Sequence, residues 1–282
     1  MAALRRAADV ARPVALAGEH VLPVLPAIGE LLPDGGLRRG TVVAVGASPT
    51  RAPAWPAVSR GGHAPPRPSP DRGRRWHPAA GPRPHPEPDT SVDAGGGATA
   101  LALALVAGAS AAGSWTAVVG APSLGLLAAA ELGVALERVA VVPEVAPDAW
   151  APVVAALVDA VDVVVVHVDR RVRLGDARRL AARARERGSV VVLLPTVGAA
   201  TGDAWPDGAD VRLVVTAARW EGIAGGAGHL RARRVEVEAG GRRAAARVRR
   251  AALWLPGPDG AVAAVESLAE PVPIVPGARQ VG

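Results

Sequence analysis

Asp162-Val163-Val164-Val165-Val166 and Ser189-Val190-Val191-Val192-Leu193-Leu194 are unbroken apolar runs of four and five residues, each headed by one polar side chain. A strand covered on one face alternates apolar with polar. A run with no alternation is the pattern of a parallel strand buried under helices on both faces. Between the two runs stands Gly175 to Arg187, where, with Leu174 just before it, Ala177, Leu180, Ala181 and Ala184 recur at helical spacing beside many arginines. Strand, amphipathic helix and strand in about thirty residues is one βαβ unit. The same grammar extends upstream as helix Thr99 to Ala112, strand Trp115 to Val119, helix Ser123 to Leu132, strand Arg138 to Val142 and helix Asp148 to Val158. The fold class expected is α/β, with a doubly wound, mostly parallel sheet.

Downstream of Pro195 the pattern changes to three strand-like runs, Val211 to Trp220, Leu230 to Glu238 and Ala244 to Leu255. The last two are expected to be joined across Ala239-Gly240-Gly241, giving a C-terminal antiparallel β extension. Pro256 to Gly282 shows little periodicity and is expected to be a flexible tail. Upstream, 1–46 is an N-terminal segment with a short amphipathic helix over Met1 to Ala17, a proline-punctuated approach and a first core strand, Thr41 to Val45. Residues 47–94 break the grammar, with twelve Pro and seven Arg in 48 residues and no apolar period. Such a stretch buries too little surface to fold and is expected to be disordered. It is read either as a genuine insert or as a shifted reading frame in GC-rich coding sequence. The core then runs over 95–255.

Composition narrows the chemistry. The 282 residues include no Cys, Phe or Tyr and seven Trp, and reading the chain finds no Lys or Asn, one Gln (Gln280) and three Ile. All 32 basic residues are therefore Arg, the usage of a very GC-rich genome. Without lysine there is no Schiff base, no Ser-Lys dyad and no intact Walker A loop. Without cysteine there is no disulfide, thiol nucleophile or zinc ribbon. His63, His77 and His85 lie scattered among prolines with no ligand spacing, so no metal site is expected. The longest apolar run, Leu101 to Ala112, is well short of the roughly twenty residues that span a bilayer. With no signal peptide over Met1 to Ala17, a cytoplasmic location is expected. The net charge of +6 is compatible with an anionic partner such as nucleic acid, or with a genome that writes Arg in place of Lys.

Chemistry in an α/β sheet is expected where a strand passes through a glycine-rich turn into a helix, because backbone N–H groups there face an anion. Here that is Val42-Val43-Ala44-Val45-Gly46 and, beyond the insert, Gly95-Gly96-Gly97-Ala98-Thr99-Ala100-Leu101. Gly97-Ala98-Thr99 stands where a phosphate loop has Gly-Lys-Thr. Gly46, Gly95, Gly96, Gly97 and Thr99 therefore read as a vestigial phosphate loop, or as a turn that only starts a helix.

With Leu31-Leu32-Pro33-Asp34-Gly35-Gly36-Leu37-Arg38-Arg39-Gly40, Glu131-Leu132-Gly133-Val134, Val161 to Val166, Val211 to Val215 and Arg233-Arg234-Val235-Glu236-Val237, these motifs resemble in order and spacing the RecA-like ATPase family. The resemblance is nearest to the actinobacterial RecA-related accessory proteins of ImuA or ImuA-prime type. It implies a RecA-like fold and a place in the SOS response to DNA damage, with nucleoid association during damage. The partners it implies are an ImuB-like, inactive Y-family adaptor and an error-prone DNA polymerase in translesion synthesis. The departures matter equally. The glutamate that would activate water is replaced by Gly120-Ala121-Pro122-Ser123, and the magnesium-organising aspartate at the end of the Walker B strand is His167. Asp169 lies two residues on, and the nucleotide-sensing glutamine is replaced by Leu194-Pro195. Hence no catalytic residue and no cofactor are expected, and the chain reads as a non-catalytic scaffold. The alternatives are an ATP-binding recombinase-like repair protein and a plain Arg-rich DNA-binding protein. For DNA contact, the hairpin residues Arg231, Arg233, Arg234, Arg247, Arg249 and Arg250 are the candidates, since eight arginines stand there against Glu236 and Glu238. Weak DNA binding is expected. The arginines from Arg170 to Arg187 read as a solvated helix face or a second basic surface, and Trp220 as a core residue or a base-stacking one.

Overall fold

The computed structural model describes residues 20–48, 97–195, 205–224 and 227–265. The expectations for Met1 to Ala17, for nearly all of the insert and for the chain end beyond Val265 fall outside these residues. Strands β3 (Val42–Ala47), β4 (Thr116–Val119), β5 (Val139–Val142), β6 (Val163–Val168) and β7 (Val190–Pro195) are parallel. They lie in one nine-stranded sheet in the order β5-β4-β6-β7-β3, extended beyond β3 by four further strands. β8 (Val211–Ala224) joins β3 in parallel, and β9 (Ala227–Gly241), β10 (Arg249–Trp254) and β11 (Ala263–Ala264) continue it antiparallel. The α/β, mostly parallel sheet with an antiparallel C-terminal extension is therefore the observed architecture.

Strand periodicity sorts the valines onto two cores. Val163, Val165, Val190, Val192, Val43 and Val45 face one side, where helix α2 (Ala98–Ala111) lies with the short helices α1 (Pro26–Gly29) and α3 (Leu126–Glu131). Val164, Val166, Val191 and Leu193 face the other, beneath α4 (Trp150–Ala160) and α5 (Leu174–Arg187). Helices on both faces explain why these strands carry no polar alternation. α2 is apolar around most of its circumference, with Leu101, Leu105, Ala104 and Ala107 fully buried, which accounts for the run that was too short for a membrane span. No helix of the described residues is long and apolar enough to cross a membrane.

β8 to β10 are covered on one side only. Leu213, Val215, Val235, Val237, Leu253 and Leu255 join the α2 core, while among the described residues no helix packs on the opposite face. Two expected boundaries are corrected. Gly240 and Gly241 do not turn the chain: they pair with Arg212 and Val211 inside the β8–β9 ladder, and the connection to β10 is a 3₁₀ turn over Arg243–Ala246. Pro256 does not begin a loose tail, because Arg233 N–H donates to its carbonyl at 2.8 Å and β11 pairs with β10 at Ala263 and Ala264. At the other end of the fold, β1 (Val21–Leu22) and β2 (Leu37–Arg38) form a separate two-stranded sheet around α1, with Leu31, Leu32 and Leu37 buried.

Candidate functional site

The C-terminal rim of the parallel strands is where the vestigial loop should lie. Gly46 is a buried residue within β3, opposite Val214 of β8. β3 ends at Ala47, and Ser48 N–H donates to the Val215 carbonyl at 2.8 Å. The chain re-enters at Gly97, the N-cap of α2, where a Cβ would stand 3.1 Å from Val215 Cγ1. This glycine therefore serves close packing of helix on strand. Ala98, which the sequence reading sets where a phosphate loop has its lysine, is buried in the core of this face, and Thr99 is exposed on the first turn. Gly95 and Gly96 lie outside the described residues.

The neighbouring strand ends carry little charge. β4 stops at Val119, and Gly120 N–H donates to the Val142 carbonyl at 2.9 Å. His167 is half-buried within β6, which runs two residues further than expected, to Val168. Asp169 is exposed and accepts a hydrogen bond from Arg170 Nε at 2.9 Å, an ion pair on the surface. Among the described residues no group of three or more His, Asp or Glu side chains is placed to hold a metal ion.

Buried polar chemistry gathers at the opposite, N-terminal edge of the sheet, and sequence reasoning missed it. Asp162, 2% exposed at the head of β6, accepts from Arg39 Nη1 at 2.8 Å and from the Trp115 N–H at 3.1 Å. It ties the β2–β3 turn, β4 and β6 together. Asp210 accepts from the Val42 N–H at 2.9 Å and fixes the start of β8 against β3. Ser189 Oγ lies 2.6 Å from the Val158 carbonyl and closes α4 against β7. The one visible signal in the sequence was a single acid heading a valine run.

The six hairpin arginines do not form one surface. Arg233 is 6% exposed, donates from Nε to the Leu255 carbonyl at 2.7 Å and lies with its guanidinium 4.8 Å from the Trp220 ring centroid. Burial pulls its pKa below the ordinary arginine range. Arg233 thus drops out of the DNA-contact set, because its charge is committed to the core side of the hairpin, and Trp220 is committed with it. Arg250 is paired with Glu238 at 2.8 Å, Arg249 is half-buried, and Arg231, Arg234 and Arg247 are exposed. On the uncovered face the register places Arg219 opposite Arg234 and Arg234 opposite Trp254. The arginines of α5 are largely committed to aspartates. Arg183 and Arg187 share Asp159, Arg179 meets Asp176 and Arg178 meets Asp207. The Arg183 hydrogen bond holds the Asp159 carboxyl below its usual value, the arrangement of a solvated, neutralised helix face.

Residues 80–206 match the family model described as the MT3502 N-terminal domain, a span that opens inside the proline-rich segment and closes after β7. A protein of Mycobacterium tuberculosis named "Uncharacterized protein Rv3395c" is 44% identical over 85 residues, 30% of this chain and 41% of its own. The chain thus spans about two fifths of the length of that curated relative. Among solved structures, the flagellar accessory protein FlaH from Methanocaldococcus jannaschii superposes with a TM-score of 0.48 at 10% identity, over 88% of this chain and 99% of that one.

Proposed function

We propose that this protein is a catalytically silent, RecA-like accessory scaffold in the response to DNA damage, supporting error-prone translesion synthesis beside a Y-family-like adaptor and an error-prone DNA polymerase. The DNA-damage role rests on the sequence resemblance. The observation that carries the loss of catalysis is Ala98. At the head of the helix that would receive a nucleotide's phosphates stands a methyl group packed into the core, in a chain with no lysine anywhere. Phosphoryl transfer is catalysed almost wholly by positioned charge, from the loop lysine, the metal and its aspartate, and the water-orienting residue. His167, an unsuitable ligand for magnesium, and the Gly120-Ala121-Pro122 turn supply none of these. A RecA-like sheet that keeps its layers without that charge serves as a rigid frame for partners.

The test has two readouts. Purified protein should show no ATP hydrolysis and no ATP affinity at the glycine-rich turn better than about millimolar. Turnover that survives repurification and stops in Thr99→Ala would overturn the silent-scaffold reading. Co-purification with the adaptor should persist in moderate salt, and its loss there alongside tight DNA binding would favour the second reading. That reading is DNA binding by the outer hairpin face, favoured by the Arg219, Arg234 and Trp254 row on a sheet surface over which no helix of the described residues packs. If DNA lies there, Arg219→Ala and Arg234→Ala should each flatten the plot of log K against log salt by roughly 0.9 for each lost duplex phosphate contact.

A further inference from the structure

A cavity of about 520 Å³ opens at the N-terminal edge of the sheet, between the β2–β3 turn, the end of α5 and the 3₁₀ turn after β9. Arg38, Arg185, Arg242 and Arg243 line it, together with Asp34 and Asp210. None of the ion pairs among the described residues uses any of these four arginines, whereas most of those on the α5 face are matched to aspartates. Asp210 spends one carboxylate oxygen on the Val42 N–H. Arg38, Arg185, Arg242 and Arg243 come from three separate segments to line one concavity with two carboxylates, beside Arg39, which is paired with Asp162, so the pocket holds more arginine than acid.

The backbone is shaped to bring them there. Gly40 has φ +79°, and a Cβ on it would stand 3.0 Å from the Arg185 Cα, so its bare backbone lets the last turn of α5 press onto the β2–β3 turn and carry Arg185 to the cavity. Gly208, at φ +72°, lies under the Arg242 guanidinium, which occupies the space a Cβ would take. Arg243 has φ +51°, and it is the non-glycine residue with positive φ among those described. A bulky side chain held in this region costs on the order of 1 kcal/mol or more and persists where surrounding structure imposes it. Gly40 and the positive-φ Arg243 thus line the pocket themselves, and Gly208 beside it leaves room for the Arg242 guanidinium.

We infer that this pocket binds a small ligand bearing two or more linked phosphates, held by Arg185, Arg242, Arg243 and Arg38. The planar guanidinium fork matches phosphate oxygens in pairs, and several forks around one concavity suit clustered phosphates better than a single carboxylate. The volume lies in the range of small-molecule sites rather than of a groove tracking a strand. The pocket is at the opposite edge of the sheet from the glycine-rich turn, so it is independent of the vestigial loop and of the silent-scaffold reading.

The probe is inorganic tripolyphosphate, titrated calorimetrically into the full chain without divalent metal. Saturable binding is expected, weakened roughly tenfold or more by Arg185→Ala and by Arg242→Gln, about the loss of one charge-assisted contact pair. Thr99→Ala and Arg250→Ala, at the two other basic or loop sites, should leave it unchanged. Thermal midpoints of the variants near that of the parent show that loss of binding is not loss of fold. A nucleoside triphosphate should compete with tripolyphosphate, and a 5′-hydroxyl single strand of equal phosphate content should not. No binding up to millimolar probe, equal weakening by Arg250→Ala, or equal competition by the single strand would each overturn the proposal.

Discussion

Replacing Asp162 with alanine separates a structural carboxylate from a misplaced catalytic one. Asp162 heads the strand that the sequence resemblance would assign to magnesium, but it stands at the N-terminal end of that strand, 1% exposed in its side chain and bonded to Arg39 and the Trp115 N–H. Its backbone N–H and carbonyl bonds, to Trp115 and Val190, survive the substitution. What is lost is the ion pair and an acceptor for a buried amide. Removing one partner of a buried pair costs about 3–5 kcal/mol. Arg39 keeps a 3.3 Å contact from Nη1 to the Gly188 carbonyl and is 17% exposed, so water relieves part of the stranded charge and the expectation is near 3 kcal/mol. At about 2–4 °C per kcal/mol for a chain of this size, the thermal midpoint should fall by about 6–12 °C. The double variant Asp162→Leu with Arg39→Met should recover much of that loss, since the charge left unpaired is then also gone. Thermal denaturation followed by circular dichroism, with a double-mutant cycle, reads both effects. A fall of less than about 2 °C for Asp162→Ala, or strictly additive costs for Asp162→Leu and Arg39→Met, would refute the assignment of Asp162 as the pin of this edge. A catalytic carboxylate would behave the other way, with its removal neutral or stabilising.

Three further outcomes follow from particular contacts. Gly97→Val should destabilise by about 1–3 kcal/mol in urea, because the new side chain meets the methyls of Val215 at 3.1 and 3.2 Å from its Cβ, and a midpoint unchanged from the parent would show that α2 can shift off β8. Arg183→Ala should return the Asp159 carboxyl toward 3.8; since the folded value is depressed, the stability it contributes is present above that pH and lost as pH falls through the folded value. The two proteins should therefore differ in stability at neutral pH and converge in acid, and carboxyl NMR titrations that coincide would contradict the pairing. Arg233→Ala should lower stability by about 2 kcal/mol and alter the emission of Trp220 while leaving DNA affinity unchanged; a loss of affinity at constant stability would return Arg233 to the DNA-contact set.

The parallel core was legible because its signal is local. Val163 to Val166 and Val190 to Leu194 are buried on both faces, and burial of every side chain is what an unbroken apolar run records. The glycines at 240 and 241 misled for a definite reason. A Cβ on Gly241 would lie 2.2 Å from the Asp210 carbonyl, so the residue marks a close approach of two strands rather than a turn. Pro256 to Gly260 misled similarly, because a reversal that returns β11 onto β10 has the composition of a tail. At the start of α2 and the end of β6 the identities of Ala98 and His167 are plain in the sequence, but the burial of Ala98 against the sheet is not. The Arg39–Asp162 pair spans 123 residues of sequence, and Arg233 stacking on Trp220 depends on register across a hairpin. Neither leaves a periodic trace in the chain.

The two edges of the sheet differ in what their backbones provide, and this shapes how the arginine pocket should behave. At the C-terminal rim a helix N-terminus presents partial positive charge, and an anion there gains from main-chain dipoles as well as side chains. At the N-terminal edge the arrangement is reversed: Arg185 stands in the last turn of α5, where unsatisfied carbonyls carry partial negative charge. The helix end therefore stabilises the arginine and repels an anionic ligand. Affinity in the pocket has to come from the guanidinium groups alone, less the opposing contributions of Asp34, Asp210 and the α5 terminus. A site built only from partly exposed side-chain charge is screened within about 8 Å at physiological ionic strength. Tripolyphosphate binding should accordingly weaken steeply between low and physiological salt. An affinity that salt leaves untouched would mean that main-chain amides hold the anion, and would move the site away from these four arginines.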